Sequence, residues 1–133
     1  LLSKFLIDGI IHTEMLVILK KVVGKKRISN VQIPFRGIPN PDLTTFWKSM
    51  QRFLDGTPGR AIILGLQGYH DHWTVIEKIT NRSILLYDSS LIKRLPRDRC
   101  TTVYATGQRK HLLLPAQTYY LSNEILDVGQ YDT

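Results

Sequence analysis

One cysteine, Cys100, is all the sulfhydryl chemistry this chain of 133 residues holds. A single thiol cannot close an internal disulfide, so a disulfide-stapled scaffold is excluded and a reducing, cytoplasmic setting is the default expectation. A domain of this length needs no staple, because folding buries roughly two-thirds of the unfolded surface. No apolar run approaches the ~20 residues of a membrane span, and no basic, apolar and small-residue succession makes a signal peptide. Internal repeats and low-complexity tracts are also missing. The chain opens on Leu1-Leu2 without a methionine, which fits a processed product, a trimmed chain or part of a longer one.

Acidic residues are the scarcer charge: 11 against 18 basic ones, for a net charge of +7. The bases cluster at Lys20-Lys21 with Lys25-Lys26-Arg27, from Lys93 to Arg99, and at Arg109-Lys110. Aromatics, which would serve as stacking platforms in a nucleic-acid binder, are almost absent from these clusters. We read them as solvated faces and do not expect nucleic acid as a partner.

The apolar residues that are present change period midway. Met15, Leu16, Ile18, Leu19, Val22 and Val23 repeat at helical spacing after Thr13-Glu14 and stop at Gly24 behind a basic turn. Residues 4–11 suggest an earlier short helix, and Ile28 to Gly37 a short strand or irregular crossing. Asn40-Pro41-Asp42 marks a second helix start, with Asp42 as the cap. The stripe Leu43, Phe46, Trp47, Met50, Phe53, Leu54 behind it reads as core rather than as a cofactor box. After Asp55 to Gly59 the pattern shortens to strands: Arg60–Leu66, His72–Ile79, Ile84–Asp88, and later ones around Thr101–Tyr104 and Leu112–Tyr120. The expectation is one α+β domain with N-terminal helices packed on an antiparallel β-sheet. Residues 1–56 are mainly helical, 57–121 antiparallel strands, and 122–133 a tail.

Candidate chemistry lies in GYHDHWTVIEKITNRSILLYDSS, residues 68–90. His72 opens one strand and Asp88 closes the next. A carboxylate that accepts from one ring nitrogen fixes the tautomer and leaves the other nitrogen free to act as a base. The pair meets only in one register. A two-residue turn at Asn81-Arg82 pairs Val75 with Asp88 and sends the carboxylate to the wrong face. A three-residue loop, Thr80 to Arg82, pairs Thr74 with Asp88 and brings it beside His72, so that loop is the expectation. Trp73 and Gln67 are the supporting residues.

The glycine-rich entry, His72-Trp73, the polar turn and Tyr87-Asp88-Ser89-Ser90 resemble the second half of papain-like cysteine peptidases. The likeness is to the bacterial branch related to bacteriocin-leader-processing peptidases, and it extends to Gly56-Thr57-Pro58-Gly59-Arg60-Ala61-Ile62-Ile63. It covers residues 43 to 90 well and the later strands loosely. It implies a papain-like fold, of which this chain is the C-terminal portion, a peptide or protein substrate, no cofactor, and His72 with Asp88 as base and orienter. The family's nucleophile departs: residues 1–67 hold no cysteine. Ser3, Ser29 and Ser49 stand in no matching helix-start context. Either an upstream segment carries the nucleophile, or the domain has lost it and works as a peptide-binding module.

Two further constellations fit less well, the first of them an alternative enzyme that would use Cys100. Ubiquitin-like-protein proteases run His, Asp, Cys, but Cys100 follows Asp88 by only twelve residues and precedes no helix pattern. His70, Asp71, His72 and Asp88 offer metal ligands, yet no second cluster completes a site.

Overall fold

The period change at Gly56 separates helices from sheet in the computed structural model, which describes residues 13–24, 28, 30–39, 41–67, 72–87, 93–104 and 110–123. Helix α1 spans Thr13–Val23 and ends in the basic turn of Lys20 and Lys21, where cations suit the negative end of the helix dipole. Gly24 terminates it at φ +92°, its N–H reaching the Lys20 carbonyl at 3.0 Å. Helix α2 spans Leu43–Leu54, and the Asp42 carboxylate accepts the Thr45 N–H at 3.1 Å, the expected cap. Hydrogen bonds from the Thr45 side chain and backbone hold the Asp42 carboxyl below its ordinary pKa. Phe46, Trp47 and Met50 of its stripe are fully buried. The earlier helix expected at residues 4–11 lies outside the described residues.

Among the described residues eight strands form the sheet: β1 Asn30–Gln32, β2 Arg60–Gln67, β3 His72–Ile79, β4 Ser83–Tyr87, β5 Arg94–Pro96, β6 Cys100–Thr101, β7 His111–Leu113 and β8 Tyr119–Ser122. Their order is β1-β8-β2-β3-β4-β5, with β7 also on β2 and β6 on β7. All pairs are antiparallel except β6 with β7. β1 falls within the short strand or irregular crossing expected at Ile28 to Gly37, and it covers the edge of β8. Two details differ from the sequence reading. The expected strand at Thr101–Tyr104 shrinks to β6, and Thr102 bends away to donate to the Pro41 carbonyl at 2.6 Å. The expected strand at Leu112–Tyr120 is two strands, because Pro115 opens a 3-10 turn, Pro115–Gln117, that moves the chain from β7 to β8 along the same side of β2. Gly65 sits under that turn, where a side chain would press on the Gln117 carbonyl and the Leu114 side chain.

The two helices lie on opposite faces. α1 packs Leu19 and Val23 on Ala61, Ile63, Val75 and Leu121. α2 packs Phe46, Trp47 and Met50 on Ile62, Leu64, Leu66, Ile76, Ile84 and Leu113. β2 is therefore covered on both sides, and Ala61 through Leu66 are all buried, which is why its sequence shows no polar alternation.

The sheet also curls. Five strand spacings of about 4.8 Å separate β5 from β6 if the path β5-β4-β3-β2-β7-β6 is flat, roughly 24 Å. Cys100 follows Pro96 by only four residues, a reach of at most about 14 Å. The edges must bend toward each other around the α2 core.

Asn123 ties these layers. Its side-chain amide donates to the Val23 carbonyl at the end of α1, and its backbone N–H donates to the Gly59 carbonyl at 3.0 Å. Gly59 has φ +75°, and a Cβ there would collide with the Asn123 side chain; Gly56 has φ +63° with open space around it. Both Gly→Ala changes carry about 1–2 kcal/mol of left-handed strain. Gly59→Ala should lose measurably more than Gly56→Ala in urea denaturation, and equal losses would remove Asn123 from this role.

Candidate functional site

The β3–β4 hairpin positions the candidate residues, and its turn is held from outside. Thr80 N–H donates to the Ser83 carbonyl at 2.9 Å, and the Thr80 hydroxyl accepts from the N–H groups of Arg82 and Ser83 at 3.2 and 3.1 Å. The Trp47 indole donates to the Thr80 carbonyl at 2.7 Å, and Gln51 to the Asn81 side chain at 2.9 Å. The Arg97 guanidinium sits 5.2 Å from the centre of the Trp47 ring and donates to the Thr44 hydroxyl and the Asn81 carbonyl.

This turn is not the expected three-residue loop. Ile79 pairs with Ile84 and Lys78 with Leu85, which makes Asn81-Arg82 a two-residue turn. Carried outward unchanged, that register would set Val75 against residue 88. A β-bulge at Glu77 intervenes: Ile76 pairs with Leu86, and Val75 with Tyr87. The extra residue restores at Val75 the register that a pairing of His72 with Asp88 requires. The turn expectation is thus corrected, while the register at the last described pair is the one the pairing needs.

His72 is the first residue of β3, opposite Leu66. Asp88, His70 and Asp71 lie outside the described residues. Trp73 stands opposite Gly65 and joins the core under α1, and its indole donates to the Gln117 carbonyl at 2.9 Å. Gln67 is exposed at the end of β2, opposite Leu112. Ser49 lies mid-helix, its hydroxyl 2.9 Å from that of Tyr120. No group of three metal-ligating side chains occurs among the described residues. No helix among them is long and apolar enough to cross a membrane.

Two features escaped the sequence reading. Thr74, opposite Leu64, is 3 % exposed, and its hydroxyl has no partner among the described residues. An unsatisfied buried hydroxyl costs about 1–3 kcal/mol, and its only sequence signal is a polar residue inside an apolar strand. Cys100 and His111 face each other across the parallel β6–β7 ladder. A parallel contact eleven residues apart leaves no local pattern. Cys100 is 3 % exposed, donates to the Pro96 carbonyl at 3.3 Å, and burial with the Asp98 charge pushes its thiol up to about 12, against a smaller pull from Lys110. Burial, with Arg99 nearby, lowers the His111 pKa.

Comparisons with protein-family models, with curated proteins and with solved structures returned no match to this chain.

The buried acids set the alkaline stability. Burial raises Cys100 from 9.0 and Tyr120 from 10.0, each to about 12. Both stay neutral in the folded chain after the unfolded chain has begun to lose their protons. Their contribution is whole below pH 9 and is lost as pH rises toward 12. Urea midpoints should fall over that window, and the Cys100→Ala, Tyr120→Phe double variant should flatten the fall. Iodoacetamide should label native Cys100 slowly at pH 9, and labelling at the rate of a free thiol would contradict its burial.

Proposed function

We propose that this chain carries the histidine-and-aspartate half of a papain-like cysteine peptidase fold. It lacks a nucleophile within its 133 residues, so as given it binds peptide without cleaving it. The observation that carries this reading is the β3–β4 register, which through Val75↔Tyr87 is the one that lets His72 and Asp88 face each other. The curled antiparallel sheet around an apolar helix and the unsatisfied Thr74 hydroxyl on the strand that His72 opens add support.

In this reading Asp88 accepts from one His72 ring nitrogen and His72 serves as the base. A base and its orienter without a thiol lose the covalent step that divides peptide hydrolysis into two easier ones. Triad members act as a unit, so little of their contribution survives the missing nucleophile. The alternative order His, Asp, Cys fits poorly with the burial and raised pKa of Cys100.

Two measurements test this. The proton NMR titration midpoint of the His72 ring should move down by roughly one pH unit in Asp88→Asn, because the carboxylate favours the imidazolium. An unmoved midpoint would end the pairing. A peptide library should show no turnover, and turnover abolished by Cys100→Ala would replace this reading with the His, Asp, Cys one.

A further inference from the structure

β2 and β3 part company halfway along. Among the described residues their ladder runs from Leu66↔His72 to Ile63↔Val75 and ends there, although β3 continues to Ile79. Past Val75, β3 keeps β4 as its neighbour, through Ile76↔Leu86, Lys78↔Leu85 and Ile79↔Ile84. The bulge at Glu77 bends and twists β3 at this point. Its side toward β2 is left as an internal strand edge without a ladder partner there.

A cleft of about 610 Å³ opens along that edge, lined by Ile76 to Ile79, Arg60, the C-terminal half of α2 and Val22 of α1. Its size falls within the roughly 300–1,000 Å³ of ligand clefts. Ile79, Leu54 and Val22 supply apolar surface; Lys48, Arg52, Arg60 and Lys78 bring four cations against the two carboxylates of Asp55 and Glu77. Arg60 is fixed in place, its guanidinium donating to the Phe53 carbonyl at 3.0 Å and lying 4.8 Å from that ring's centre. Lys48 and Arg52 stand one helical turn apart on α2 and are exposed.

We infer that this cleft docks an extended acidic peptide segment, which adds as a strand to the Ile76–Ile79 edge of β3. An open edge supplies main-chain hydrogen bonds to any extended peptide, and alternate side chains of that peptide then point to opposite sides. One set meets the apolar residues and the other the cations, so acidic residues alternating with aliphatic ones suit the site. The inference goes beyond the His72–Asp88 reading: the cleft begins four residues, roughly 13 Å, along β3 from His72.

The test uses a fluorescein-labelled peptide of four Glu-Val repeats and the full 133-residue chain, read by fluorescence anisotropy. Binding should weaken as salt rises and fall at least ten-fold in the Lys48→Glu, Arg52→Glu variant. It should change less than two-fold in Lys93→Glu, Lys110→Glu, which has the same net charge with the reversed residues outside the cleft. Circular dichroism checks that both variants fold, and all four positions are exposed. A peptide N-methylated at alternate residues, which cannot pair with a strand edge, should bind at least ten-fold more weakly. Absence of binding at millimolar peptide overturns the inference. So does equal binding of the N-methylated peptide, which would reduce the cleft to a patch of charge. Tripolyphosphate binding where the peptide does not bind would make it a small-anion site and overturn the peptide as well.

Discussion

The burial of β2 on both faces is the constraint on which the rest of this fold depends. Its inner six residues, Ala61 to Leu66, are withdrawn from water, and it pairs with β3 on one side and with β7 and β8 on the other. A strand so placed demands a cover for each face, and α1 and α2 provide them. It also tolerates no bulk where another backbone crosses it, so Gly65 lies where the Pro115–Gln117 turn passes over. The Gly65 N–H meets the Thr118 hydroxyl at 3.2 Å and its carbonyl meets the Leu114 N–H at 2.9 Å. The gap between β7 and β8 is thus bridged without orphaning β2.

The parts legible in the sequence are those with a local cause. The Asp42 cap, the Phe46-Trp47-Met50 stripe, the glycine stop at Gly24 and the switch to strands each rest on residues close in the chain. What was not legible is set by distant partners. Apolar periodicity shows that α1 and α2 each own a buried face but not that the faces belong to opposite sides of one sheet. A short strand or crossing at Ile28 to Gly37 was legible, but not that β8 would be its partner. The Cys100–His111 opposition needs the sheet to curl before the two strands can meet.

The candidate site was legible as a requirement rather than as a structure. The spacing of His72 and Asp88 specifies the register they need but not how the chain attains it. A three-residue loop is the simplest local device, and the protein uses a two-residue turn with a bulge instead. The reason lies outside the hairpin. Trp47 and Gln51 from α2, and Arg97 from beyond β5, grip the turn at Thr80 and Asn81, and that grip suits the tight form. One sign of the bulge was in the sequence: Ile76 and Ile79 are three apart, and both pack in the core under α2. An unbroken strand would send them to opposite faces.

Glu77 therefore divides β3 into two stretches. Toward the His72 end it shifts the register by one, so that Tyr87 stands opposite Val75 rather than Ile76. Toward the turn β3 keeps β4 as its neighbour, while among the described residues its ladder with β2 ends at Val75. A strand without the bulge would carry the turn's register outward and set Ile76, not Val75, against Tyr87. Because Ile79 and Ile84 are paired beside a turn that three side chains hold in place, the bulge cannot slide toward the turn without breaking those contacts. Its position is fixed by the helix packed beneath it, and through α2 the apolar core sets the geometry of both ends of β3.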